Sequence, residues 1–212
     1  NYKKALAINP DYYEVLNNLG NLFKDFDKPN EAIRYYEKAI VMNPNFAEVQ
    51  NNLGNIFKDI GKLDRAAKCF EKAIKIDPEF SGAHNNFGNV YTHLGQLDKA
   101  LESYQKAIRI EPKFVEAHNN LGNVLKDLGN YSEAVKSYNQ AILIQPEFAE
   151  AHNNLGTILS QELGKPLEAI ESFKTAIKMH PDFAIAYNNL GNVFRDLDQF
   201  DDALKSYEMA LS

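Results

Sequence analysis

The tetrapeptide Asn-Asn-Leu-Gly, written once as Asn-Asn-Phe-Gly, begins at Asn17, Asn51, Asn85, Asn119, Asn153 and Asn188, in steps of 34, 34, 34, 34 and 35 residues. Pro10, Pro44, Pro78, Pro112, Pro146 and Pro181 keep the same steps. A fixed period of this length means supersecondary units stacked in sequence order, each packing mainly on its neighbours. It overrides the usual expectation of one or two globular cores for a chain of 212 residues.

Counting the glycine of the tetrapeptide as position 8 gives complete copies at 13–46, 47–80, 81–114, 115–148 and 149–183. A partial copy over 1–12 and a truncated one over 184–212 flank them, so the expectation is a single solenoid over 1–212. In the second copy Leu53, Ile56, Phe57 and Ile60 fall on one helical face. Gly61 then ends the helix in left-handed backbone, as do Gly95, Gly129 and Gly164. Asp27 and Asp198 stand at the equivalent places, where a less well set turn is expected.

A second helix is expected to be capped at position 18 by Asn30, Asp64, Asp98, Ser132 and Asp201. Leu63, Leu97, Tyr131 and Phe200 precede them as hydrophobic staples. The fifth copy has Pro166 and Leu167 there and lacks the cap. Ala66, Ala67, Phe70, Ala73, Ile74 and Ile76 give the second apolar face, and Pro78 stops it. Gly54, Ala66 and Ala73 mark close helix approaches, with Phe57, Phe70 and Phe80 filling the space beside them. The extra residue of the fifth copy lengthens the first-helix stretch over 158–164, unless a π-bulge or a longer turn absorbs it, and predicts a local distortion and a break in the asparagine row.

Composition narrows the function. A formal charge of −6 and a pI near 5.4 argue against a nucleic-acid partner. Cys69 is the only cysteine, which removes disulfide frameworks and cysteine metal clusters. No apolar run approaches the ~18 residues of a membrane span, and none is expected to insert. His84, His118 and His152 share a register but sit one repeat apart, too far to converge on one metal. No catalytic constellation and no phosphate loop emerges, so the expectation is a non-enzymatic protein without cofactor or metal. The sequence names no compartment; an intracellular, cytoplasmic one is the expectation.

Asparagine recurs in three columns of the first helix. Position 5 holds Asn17, Asn51, Asn85, Asn119, Asn153 and Asn188. Position 6 holds Asn18, Asn52, Asn86, Asn120, Asn154 and Asn189. Position 9 holds Asn21, Asn55, Asn89, Asn123 and Asn192, with Thr157 in the fifth copy. Asparagine is a mediocre helix former, so its use at every copy lowers helix propensity. An amide can donate and accept, and so can pair with both halves of a peptide unit. Two readings are open: a groove that holds a polypeptide backbone, or amides that bridge neighbouring helices. Glu14, Glu48, Glu116 and Glu150 at position 2, and Lys24, Lys58, Lys126 and Arg195 each followed by aspartate, suit either a polar guest or a solvated surface.

The pattern of Leu at 7, Gly at 8, Ala at 20, an aromatic at 24, Ala at 27 and Pro at 32 resembles the tetratricopeptide repeat over the whole chain. That resemblance implies an all-α, right-handed superhelical solenoid of antiparallel helix pairs, with the first helices on the concave side. The asparagine columns with Asn-Leu-Gly-Asn are also similar to the repeat region of the O-linked N-acetylglucosamine transferases. There the position-6 asparagines contact bound polypeptide, a role the resemblance carries to Asn18, Asn52, Asn86, Asn120, Asn154 and Asn189. Asparagine rather than lysine at every position 5 sets the chain apart from the carboxylate-clamp subclass. The function expected is a scaffold binding extended polypeptide in its groove. The alternatives are the substrate-recruiting region of a larger enzyme such as a protein O-glycosyltransferase, and a self-assembling solenoid. The last follows from a chain that opens inside one helix pair and closes inside another, inviting end-to-end association.

Overall fold

A computed structural model of the chain describes residues 12–211; the partial copy read at 1–12 therefore lies, but for Tyr12, outside the described residues. The chain divides into two compact units, the first ending at Glu111 and the second beginning at Pro112. The first holds α1 (Tyr13–Asp25), α2 (Pro29–Met42), α3 (Ala47–Asp59), α4 (Leu63–Ile76), α5 (Ser81–His93) and α6 (Leu97–Ile110). The second holds α7 (Val115–Asp127), α8 (Tyr131–Ile144), α9 (Ala149–Gln161), α10 (Pro166–Met179), α11 (Ala184–Asp196) and α12 (Phe200–Leu211). There is no strand among the described residues. This is the all-α solenoid of antiparallel helix pairs that the period predicts, one pair per repeat.

The turn inside each pair shows how tightly the chain is folded. In the second repeat the Gly61 N–H donates to Lys58 O at 3.0 Å and the Lys62 N–H to Phe57 O at 2.7 Å. This is a Schellman closure, with Gly61 at φ 75°. The Lys62 carbonyl then accepts from both Arg65 and Ala66 at 3.0 Å, so one residue ends α3 and opens α4. The expected caps are therefore two residues too late. Position 16 is the N-cap, without a side-chain bond, and Asp64 lies inside the first turn. The turn leaves no room for a separate capping residue, and Asp64 instead complements the helix dipole. Leu63 is likewise the first helical residue, not a staple before it. Asp27 and Asp198 keep the same closure at φ 53° and 58°, so those turns are set like the others at the expense of left-handed strain.

Helix approach within a pair is set by position 8. A Cβ on Gly54 would lie 2.7 Å from Phe70 Cε1, on Gly88 2.6 Å from Tyr104 Cε1, and on Gly191 2.7 Å from Tyr207 Cε1. Gly20, Gly122 and Gly156 meet Tyr36, Tyr138 and Phe173 in the same way. The aromatic ring of the second helix thus lies flat on the glycine of the first. Val15, Leu19, Tyr36, Val49, Phe57, Phe70 and Val90 make one continuous core in the first unit. Leu159, Ile170, Phe173, Leu190 and Val193 make a core in the second. Ile60 is a correction to the predicted face: it caps α3 and is exposed.

Within each unit consecutive first helices touch (α1 with α3, α3 with α5, α7 with α9, α9 with α11), whereas consecutive second helices do not. The first helices therefore line the inner side of each unit's curve. In the fifth repeat a longer turn, not a longer helix, takes up the extra residue. Its first helix has the same 13 residues as its counterparts. The added residue loops out in the turn, where Leu163 N–H bonds to Ile158 O at 3.1 Å and Lys165 N–H still reaches the position-11 carbonyl of Leu159 at 2.8 Å.

Candidate functional site

The three asparagine columns lie on the first helices at three depths. Position 5 is the deepest: Asn17, Asn51, Asn85, Asn119 and Asn153 are buried, and Asn188 is exposed. Position 6 is half-buried at Asn52, Asn86, Asn120, Asn154 and Asn189, and exposed at Asn18. Position 9 is half-buried at Asn21, Asn55, Asn89, Asn123 and Asn192.

Four position-6 amides, Asn52, Asn86, Asn154 and Asn189, each reach back one repeat within their own unit. Nδ2 of Asn52 donates to Asn17 Oδ1 at 3.1 Å and to Asn21 Oδ1 at 3.3 Å. Asn86 donates to Asn51 Oδ1 at 2.9 Å, Asn154 to Asn119 Oδ1 at 2.9 Å, and Asn189 to Asn153 Oδ1 at 3.0 Å. The position-6 row therefore runs on through the fifth repeat, whereas the position-9 column is interrupted there by Thr157. These bonds stitch one first helix to the next, so the bridging reading of position 6 is realised in the fold. The oxygens of Asn52, Asn86 and Asn189 accept no bond among the described residues.

Position 9 bonds within its own repeat, to the ring that covers the glycine. The phenol O–H of Tyr36 donates to Asn21 Oδ1 at 2.7 Å, and that of Tyr104 to Asn89 Oδ1 at 2.7 Å. Tyr138 donates to Asn123 and Tyr207 to Asn192, both at 2.9 Å. Burial pushes the Tyr104 phenol up to about 12 and raises Tyr36 and Tyr138 as well, so these hydroxyls remain donors. Where the ring is Phe70, Asn55 has no such partner; where it is Phe173, position 9 is Thr157, which donates to Asn153 O at 2.9 Å. Sequence reading missed this pairing. Its signal was there in a spacing of 15 residues between Asn and Tyr.

The outcome is a set of oriented amides. A bond at one end of the amide holds Asn52, Asn86 and Asn189 at position 6 and Asn123 and Asn192 at position 9, and the other end makes no bond among the described residues. Asn189 and Asn192 come together with Ser160, Gln161 and Asp196 around a cavity of about 310 Å3. The charged columns pair mostly within their own helix: Lys58 with Asp59 at 3.6 Å, Lys126 with Asp127 at 3.7 Å and Arg195 with Asp196 at 2.9 Å. Asn17 Nδ2 donates to Glu48 Oε1 at 3.1 Å, tying one position 2 to the amide row.

The histidines at position 4 are structural. Nε2 of His84, His118 and His152 meets the carbonyl of Pro78, Pro112 and Pro146 respectively, each at 3.0 Å, closing the turn between repeats. Burial lowers the His84 pKa, and its bond to the Pro78 carbonyl offsets this only in part. Cys69 is buried, which pushes its thiol up to about 11 and leaves it protonated and unreactive. Among the described residues no three His, Cys, Asp or Glu side chains gather where a metal could sit. No described helix is long and apolar enough to cross a membrane.

Comparison with known proteins agrees with this architecture. Tetratricopeptide-repeat family models match residues 13–46, 47–80, 69–102, 88–129, 122–161 and 147–212. A comparison with curated protein sequences finds no match. Among solved structures, YrrB, described as a TPR protein with an unusual peptide-binding site, is 25% identical with a TM-score of 0.67, over 87% of this chain and 95% of that one. MamA is 26% identical with a TM-score of 0.66, over 75% of this chain and 92% of that one. The hetero-tetramer of Cut9 and Hcn1 from APC/C is similar in fold alone, with 18% identity and a TM-score of 0.87 over 99% of this chain and 42% of that one. The six helix pairs, the glycine under each aromatic ring and the matches along 13–212 make this chain a member of the tetratricopeptide repeat family.

Proposed function

We propose that the chain is a protein-interaction scaffold that holds extended polypeptide segments along the inner face of its first helices. The observation that carries this reading is the half-used amide. The position-9 oxygen is taken by a tyrosine at Asn21, Asn123 and Asn192, which turns the amide nitrogen outward as a donor for a guest carbonyl. The position-6 oxygens of Asn52, Asn86 and Asn189 are acceptors for a guest N–H. Because the framework already fixes these side chains, little rotamer freedom is lost on binding. Touching helices lie ~10 Å apart, so each repeat would address about three residues of extended chain. Such contacts read backbone rather than side chains. The peptide-binding site named for YrrB supports a polypeptide guest. The position-6 column equally suits the substrate-recruiting region of a protein O-glycosyltransferase, which would use the same contacts.

The test is capture on a random peptide array. Replacing Asn86, Asn120 and Asn154 by alanine should lower capture, but Asn86 and Asn154 also join helices. A second variant separates the roles: Asn21→Asp, Asn123→Asp and Asn192→Asp keep the acceptor for tyrosine and remove the outward donor. Each lost hydrogen bond should weaken binding by ~0.5–1.5 kcal/mol while thermal stability holds. Unchanged capture by the aspartate variant overturns the reading. Light scattering over a concentration series addresses self-assembly, since a concentration-independent monomer excludes it.

A further inference from the structure

The second helices also carry a feature in register. Positions 19, 22, 26 and 29 fall within about a quarter of the helix circumference. On α4 they are Arg65, Lys68, Lys72 and Lys75. On α6 they are Lys99, Glu102, Lys106 and Arg109. One acidic residue interrupts a basic stripe, in a chain whose formal net charge is −6. On α8 and α10 the same positions hold Glu133, Glu168 and Glu171, with Lys136 and Lys178. On α2 they are Glu31, Arg34, Lys38 and Val41, so the stripe belongs to α4 and α6 of the first unit.

It borders recesses with aromatic floors. Because α2, α4 and α6 do not touch one another, a groove opens on the outer side between each successive two, over the first helix that separates them. Over α5 the floor is Phe87 and Tyr91, both half-buried, with ring centroids 4.3 Å apart. Position 7 is leucine in every other repeat (Leu19, Leu53, Leu121, Leu155 and Leu190). Two adjoining cavities of about 550 and 520 Å3 share these rings. Lys99, Lys106 and Arg109 wall the first, and Lys99 Nζ stands 5.4 Å from the Tyr91 ring centre. Asp64, Lys68 and Glu71 wall the second. The groove over α3, about 350 Å3, has Phe57 on its floor and Arg65, Lys68 and Lys72 beside it. Arg65 pairs with Glu37 and Lys106 with Glu79, but Lys68, Lys72 and Arg109 make no ion pair among the described residues.

We propose that this outer face of the first unit is a second docking surface, one that takes an acidic polypeptide segment and seats an aromatic or branched aliphatic side chain of it on Phe87 and Tyr91. The basic stripe supplies charge complementarity to carboxylates, and the recessed rings supply an anchor site. A continuous phosphate backbone fits less well, because Asp64, Glu71 and Glu102 interrupt the walls. A lipid surface cannot follow the rings into the recess. The face lies on the side of the helix pairs away from the asparagine columns, so it stands without the groove reading above.

The probe is a short fluorescein-labelled peptide of glutamate and alanine with one central phenylalanine, followed by fluorescence anisotropy. Lys68→Glu, Lys72→Glu and Arg109→Glu together change exposed side chains only, and circular dichroism checks that the helices persist. The dissociation constant should rise about tenfold or more. Binding should weaken with added salt, and also when the peptide's phenylalanine becomes alanine. Unchanged affinity in the triple variant overturns the proposal, as does equal binding of the phenylalanine-free peptide. Tighter binding of single-stranded DNA or anionic lipid vesicles than of the peptide would assign the face to another partner class and overturn it too. The Asn21→Asp, Asn123→Asp, Asn192→Asp variant should bind the probe as the parent does, and a loss there would show that the two faces are not separate.

Discussion

Asn55 facing Phe70 is the clearest single-residue opportunity in the chain. In four other repeats a phenol occupies the corresponding space and bonds the asparagine oxygen at 2.7–2.9 Å. Phe70→Tyr should complete the same bond and raise stability by ~0.5–1.5 kcal/mol, measured by urea unfolding. Tyr138→Phe should lose a comparable amount. Gly54→Ala, by contrast, drives a methyl into the Phe70 ring, and overpacking of this kind destabilises by ~1–3 kcal/mol. His84 gives a pH signature whose sign follows from its lowered pKa. The unfolded chain takes up the proton first as pH falls below the ordinary histidine value of ~6.5. The stabilisation is therefore present above that value and lost as pH falls through the folded one. His84→Gln, which copies Gln50 of the preceding repeat, should flatten this acid limb in a thermal-shift series.

At the scale of helices and turns, the period made the pairs, their order and the close approach at position 8 readable before any coordinates. It misplaced the helix starts, because propensity marks Asp64 as a cap while the Schellman closure decides that Lys62 must serve both helices. Nor could it locate the insertion of the fifth repeat: sequence alone does not tell a lengthened helix from a looped-out Leu163. The asparagines posed a deeper difficulty. Periodicity finds the columns, but which end of each amide is occupied depends on a ring 15 residues away and a neighbour about one repeat away. The turns offer their own test. Asp27→Gly and Asp198→Gly relieve left-handed backbone at φ 53° and 58° without removing a closing bond. Each should stabilise by about 1 kcal/mol, read as a rise in the unfolding midpoint.

At the scale of the whole molecule, stability is distributed within each unit, where a helix pair borrows buried surface from the pair beside it. Among the described residues α12 packs on α11 alone, and Phe200, Leu204 and Leu211 are exposed. Its amides should exchange with deuterium well before those of α3 and α4, and uniform exchange would contradict a nearest-neighbour scheme. Within each unit, the bond from a position-6 nitrogen (Asn52, Asn86, Asn154 and Asn189) to the position-5 oxygen of the preceding copy bears on design and descent alike. A module joined in this way brings a socket for the module after it or a plug for the one before. Within a unit, copies could be reordered, duplicated or removed with these joints re-forming, which would allow an array of this kind to change length without inventing new interfaces.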